Sequence, residues 1–145
     1  GMVLLITKEP KRTVYQLALE NAASDEIRIA RPIAQIAVSW VTGMDLSPDG
    51  QRAIVLTYGD ALEYTRGKEE DWTEAFARPP RRIRLPSRAQ GEAVCYGPDG
   101  RTLYLTSEKR PTPLIEVPPK VPEDTSARGG PWDAGDSESD ALHRP

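Results

Sequence analysis

At 145 residues the chain is long enough for one domain, and its single cysteine, Cys95, rules out an intrachain disulfide. The net charge of −3 resides in the stretch after Pro118, where Lys120, Arg128 and Arg144 stand against Glu123, Asp124, Asp133, Asp136, Glu138 and Asp140. The remainder is balanced, which removes a general electrostatic drive toward nucleic acid, and no apolar run approaches the ~20 residues of a membrane-spanning helix.

The chain opens with a short apolar strand over residues 3–7, a Lys8-Glu9-Pro10-Lys11-Arg12 turn and an alternating strand over 13–18. Met2-Val3-Leu4-Leu5-Ile6 is too short for a signal peptide and has neither a basic flank nor a cleavage site. Asn21 to Asp25 reads as polar loop. Ile27, Ile29 and Ala30 suggest an outer strand ending before Pro32, and residues 33–40 fit either strand or connector.

Strands follow near 41–46, 52–58, 61–65 and 81–85. Between the last two, Lys68 to Ala77 has an acidic first turn, an i,i+4 Trp72/Phe76 pair and a stop before Pro79-Pro80, the pattern of a short amphipathic helix. The aromatic pair is expected to pack the helix on the sheet rather than to grip a ligand. Arg78, Arg81, Arg82, Arg84 and Arg88 form the densest basic run; alternation would aim several at solvent, where they discourage edge pairing or meet an acidic partner. The last strands lie near 90–96, 102–107 and 113–117. Pro118, Pro119 and Pro122 then break the pattern, and residues 119–145, rich in Pro, Gly, Ser and Asp, read as a disordered tail.

One turn occurs twice, 50 residues apart: Ser47-Pro48-Asp49-Gly50 and Gly97-Pro98-Asp99-Gly100. Proline presets φ, aspartate bonds nearby amides, and glycine accepts the left-handed conformation, so each copy marks a hairpin between apolar runs. The flanks align without a gap from Val41/Gly91 to Tyr58/Glu108, and a partial copy opens the chain, with Leu4 to Glu9 set against Leu103 to Glu108. A period of about 40–50 residues with several short strands per unit is that of propeller blades. The expected fold is therefore all-β, a partial β-propeller of about two and a half four-stranded blades over residues 1–118, with one short helix. A β-sandwich with similar hairpins is the alternative. A closed propeller of four such blades would need about 200 residues. Together with the Gly1-Met2 opening, this leads us to expect that missing N-terminal blades, or further copies of the chain, complete the ring.

The segments VTGMDLSPDG, QGEAVCYGPDGRTLYLTSEK and TKEP resemble bacterial six-bladed propellers of the TolB-like and WD-repeat-like kind. They are also similar to the propellers of esterase-like phytases and SdiA-regulated proteins, over about residues 2–118. The resemblance implies an extracytoplasmic setting and a binding scaffold, or part of a metal-assisted phosphoesterase.

In the residues themselves, Glu9, Glu92 and Glu108 recur at matching strand ends, with Lys8 and Lys109 beside two of them. Glu9, Glu92, Glu108 and Lys109 are the candidate ligand-binding set. Glu92 and Glu108 could ligate Ca²⁺ through oxygen, and with lysine the set could hold a small anionic ligand such as phosphate. The bland alternative is solvated Glu-Lys turns. No Gly-rich phosphate loop is present. The only histidine, His143, lies in the tail, which removes histidine-based nucleophilic sets from the body and leaves little for zinc. The expected function is a non-catalytic scaffold for a ligand or protein.

Overall fold

The computed structural model describes residues 1–19, 27–108 and 110–120. Lys109 and nearly all of the expected tail therefore lie outside the described residues. Within them, ten strands and one helix run in the order β1 (Met2–Ile6), β2 (Arg12–Ala18), β3 (Arg31–Ile36), β4 (Val41–Leu46), β5 (Arg52–Thr57), β6 (Ala61–Thr65), α1 (Trp72–Ala77), β7 (Arg81–Ile83), β8 (Gly91–Tyr96), β9 (Leu103–Ser107) and β10 (Ile115–Val117). The fold is all-β. The strands pair as three antiparallel meanders, β1-β2-β3, β4-β5-β6-β7 and β8-β9-β10, rather than as the two sheets of a sandwich.

Both Pro-Asp-Gly segments are tight turns. The amides of Gly50 and Gly100 donate to Ser47 O and Gly97 O, each at 2.8 Å, and both glycines are left-handed, with φ of 66° and 65°. A side chain there would be strained, hence glycine. In the second turn Asp99 Oδ1 accepts the amides of Arg101 and Thr102 at 2.9 Å, and Oδ2 accepts the Thr102 hydroxyl at 2.6 Å. The Thr102 bond above all, with the two amides, lowers the Asp99 carboxyl to about 2.

The middle sheet is buried on both faces. Strand β5 reads Ala53-Ile54-Val55-Leu56, and all four are fully buried. Alternation sends Ala53 and Val55 toward Leu4, Val14 and Ile36 of the first sheet and toward Trp72, Ala75 and Phe76 of α1. It sends Ile54 and Leu56 toward Val94, Tyr96, Leu103 and Leu105 of the third sheet. The helix packs as its i,i+4 aromatics suggest: Phe76 lies 4.7 Å from the Tyr64 ring and 5.4 Å from Trp72, centroid to centroid.

A polar clamp crosses the second interface. The Tyr96 amide donates to Asp45 Oδ2 at 2.8 Å, and its hydroxyl donates to Glu63 Oε1 at 2.9 Å. Glu63 Oε2 accepts Arg81 Nη2 at 2.7 Å and Nε at 3.0 Å. Asp45, Ile54 and Glu63 occupy one row across β4, β5 and β6, with Arg81 opposite Glu63 on β7. Burial, reinforced by the Glu63 charge, pushes the Tyr96 phenol well above its ordinary range, so it remains a donor. The buried carboxylate is thus paired and hydrogen-bonded, the condition under which burial is tolerated.

The outer strand of the first sheet is Arg31–Ile36, not the expected Ile27–Ala30 segment. Ile27 and Ile29 are 94% and 83% exposed. Pro32 is accommodated because β3 is an edge strand and the register shifts beside it, between Val14 and Tyr15 of β2. Four of the five arginines in the run bind within the chain: Arg78 pairs with Glu70, Arg81 with Glu63, Arg82 with Asp60 at 2.6 Å, and Arg88 donates to carbonyls, while Arg84 is exposed.

Tyr96→Phe removes one bond to a charged acceptor and should lower unfolding free energy by about 2 kcal/mol in urea titration, with the m-value unchanged. Because the folded Asp99 pKa lies below its ordinary value, its contribution is present above pH 3.8 and lost as pH falls toward about 2. Asp99→Asn should flatten the acid limb of a stability–pH curve in that window, while wild type falls through it.

Candidate ligand-binding rim

The ends of β1, β5 and β9 and the starts of β4 and β8 meet at one end of the sheets. The residue before each inner strand is left-handed although it is not glycine: Trp40 at φ 60° before β4 and Gln90 at φ 45° before β8. Each inner strand then carries a register shift, between Val41 and Gly43 and between Gly91 and Ala93. The extra residues at these bulges are Thr42 and Glu92. Bulges and left-handed non-glycine residues re-aim side chains and concentrate at functional edges.

The residue before the inner strand meets the residue after the next strand. In the middle sheet that pair is Trp40 and Tyr58, stacked with centroids 5.9 Å apart and planes 25° apart. They are 67% and 43% exposed, so the stack faces solvent. In the third sheet the pair is Gln90 and Glu108: the Gln90 amide donates to Glu108 Oε2, and also to Glu92 Oε1 at 3.3 Å. Lys8 reaches across from the first sheet to Glu92 Oε2 at 3.8 Å.

Arg88 fastens the middle and third sheets behind this rim. Its Nη2 donates to Thr57 O at 2.9 Å and its Nη1 to Gly59 O at 3.0 Å, bracketing Tyr58. Desolvation lowers its pKa from the usual arginine value. The guanidinium passes so close to Gly91 that a Cβ there would lie 2.2 Å from Nε. A side chain at 91 would push the guanidinium off the Thr57 and Gly59 carbonyls.

Of the expected site residues, Glu92 and Glu108 do come together, on Gln90. Glu9 is exposed and has no part in these contacts; Lys109 lies outside the described residues. Lys8 is the first-sheet member. The reason is a one-residue shift: Thr7 closes its turn through Thr13 as Thr57 does through Asp60, by amide and hydroxyl. Lys8 thus corresponds to Tyr58 and Glu108, where the sequence comparison set Glu9 against Glu108. Tyr58 was aligned with Glu108 and Arg88 counted in the basic run, but neither was given a role at this rim; Trp40 and Gln90 carried no motif beyond their 50-residue spacing. Calcium takes six to eight oxygens. Among the described residues no three His, Cys, Asp or Glu side chains converge on one point, so Glu92 and Glu108 do not by themselves build such a site.

No protein-family model, no curated protein and no solved structure matches the chain.

Gly91→Ala should lower Tm by several degrees, because Arg88 must move. Gly59→Ala, with nothing within 4 Å of the added carbon, should leave Tm within about a degree. Parallel thermal melts check the contrast.

Proposed function

We propose that the chain is a non-catalytic segment of a β-propeller that binds a ligand or protein partner at this rim. Three consecutive meanders support the propeller reading, since each is joined to the next from its outer strand to the following inner strand. The ends of inner strands and their loops are where such folds usually carry sites.

The observation that carries the binding reading is the exposed Trp40–Tyr58 stack on the same rim as the Glu92–Gln90–Glu108 cluster. A stacked aromatic pair open to water offers a face on which a partner can stack. Among the described residues Glu92 and Glu108 outnumber Lys8, and Arg88 is committed to carbonyls, so the rim as described favours a cationic group over the anion that the lysines suggested. A flat or alkylated cation satisfies both parts: its body stacks on the rings and its charge meets the carboxylates.

Calorimetric titration with tetramethylammonium and with a short Lys/Arg-rich peptide tests this. The expected result is saturable heat that disappears in Trp40→Ala and falls in Glu92→Gln, with melting of both variants preserved. Absence of heat with both probes at millimolar concentration, or heat that both variants retain, would contradict the reading. A saturable calcium signal abolished by Glu108→Gln would instead favour the metal-dependent alternative.

A further inference from the structure

We infer that two copies of the chain associate head to tail, the outer face of the third sheet of one copy packing on the outer face of the first sheet of the other. This goes beyond the rim reading and rests on the propeller reading only for the number of sheets that close a ring.

The inference starts from rows of residues. The face that the middle sheet turns to the third contains Asp45, Ile54 and Glu63 in one row. The corresponding row of the third sheet is Cys95, Tyr104 and Glu116. The first row is buried against Tyr96, whereas in the second Cys95 and Glu116 are exposed. At the other end, the middle sheet buries Ala53, Val55 and Tyr64 against the first sheet. The first sheet presents the like-facing Val3, Leu5, Tyr15 and Leu17, paired as Val3 with Leu17 and Leu5 with Tyr15. Among the described residues that face is left partly open: Leu5 is 46% exposed, Val3, Tyr15 and Leu17 are half-buried, and Leu19, Ile27 and Ile29 beside the sheet are exposed.

One chain therefore carries both halves of an interface that it already makes twice internally, and leaves one half open at each end. A heterologous pair of faces forms either a closed ring or an open filament. Two copies contribute six sheets, within the four to eight blades over which propellers close, so the second copy is the occupant that also satisfies the second open pair. An isologous contact of the first-sheet faces would leave the third-sheet face open and is the main competitor.

The test is light scattering after gel filtration of the full chain, with two variants, Leu5→Lys and Tyr104→Lys. Wild type should elute with twice the chain mass. Each variant should keep its circular dichroism spectrum and weaken self-association at least about 30-fold, as loss of a central apolar anchor does. Mixing the two should restore a dimer, because one intact third-sheet face then meets one intact first-sheet face. A wild-type monomer would overturn the inference and indicate that other blades cover these faces. Loss of association by Leu5→Lys alone, with Tyr104→Lys unaffected, would overturn it in favour of the isologous contact. Two weakened variants that fail to restore a dimer on mixing would overturn it too.

Discussion

A buried carboxylate ties the second and third sheets together, and much of the remaining geometry depends on that tie. Glu63 lies in an apolar interface, where an unpaired charge would cost several kcal/mol. It is held there from two directions, by the Tyr96 hydroxyl of the third sheet and by Arg81 of its own. Asp45 adds a bond to the Tyr96 backbone. A sliding movement between the sheets would break both Tyr96 bonds together, so the polar groups select one register from the many that Ile54, Leu56, Val94 and Leu105 alone would allow. Apolar contacts supply most of the attraction, and the carboxylates supply its uniqueness.

The rim inherits its geometry from that registration. Arg88 leaves the segment before β8, crosses Gly91 and caps carbonyls at the end of β5. It therefore fixes the start of β8 against the end of β5. A slip of β8 on β9 by one residue would carry Glu92 to the opposite face, since side chains alternate along a strand. Lys8 then closes the distance from the first sheet. The aromatic pair and the polar pair occupy matching places in successive sheets with different chemistry, which is how one backbone plan presents a mixed surface.

Much of the strand pattern was legible because local rules and burial agree. The two Pro-Asp-Gly turns, the alternating strands and the Trp72/Phe76 helix carry their own physical signals. Strand β5 was legible as a continuous apolar run, the mark of a strand covered on both faces. The outer strand of the first sheet was not, because Ile27 and Ile29 look like core and Pro32 looks like a stop; an edge position reverses both readings. The grouping of the strands into three units followed the 50-residue repeat, whereas the clamp on Tyr96 depends on contacts between residues 33 and 51 positions apart, which no local pattern encodes. In the site, the carboxylates Glu92 and Glu108 were visible as recurrent residues. Lys8 was displaced by one position because Lys8-Glu9 and Ser107-Glu108 look alike in sequence, while the turn hydrogen bonds distinguish them. The Trp40–Tyr58 stack joins residues from opposite ends of two strands and appears only once the strands pair.

Hydrogen exchange at the Tyr96 amide tests the stacking of the sheets most directly. That amide's bond to Asp45 exists only if the third sheet sits on the second in the register described. The expected result is slow exchange at Tyr96, comparable with the β5 amides, and selective acceleration in Asp45→Ala while β5 remains protected. Exchange at Tyr96 as fast as at the short edge strand β10, or protection indifferent to Asp45→Ala, would contradict it.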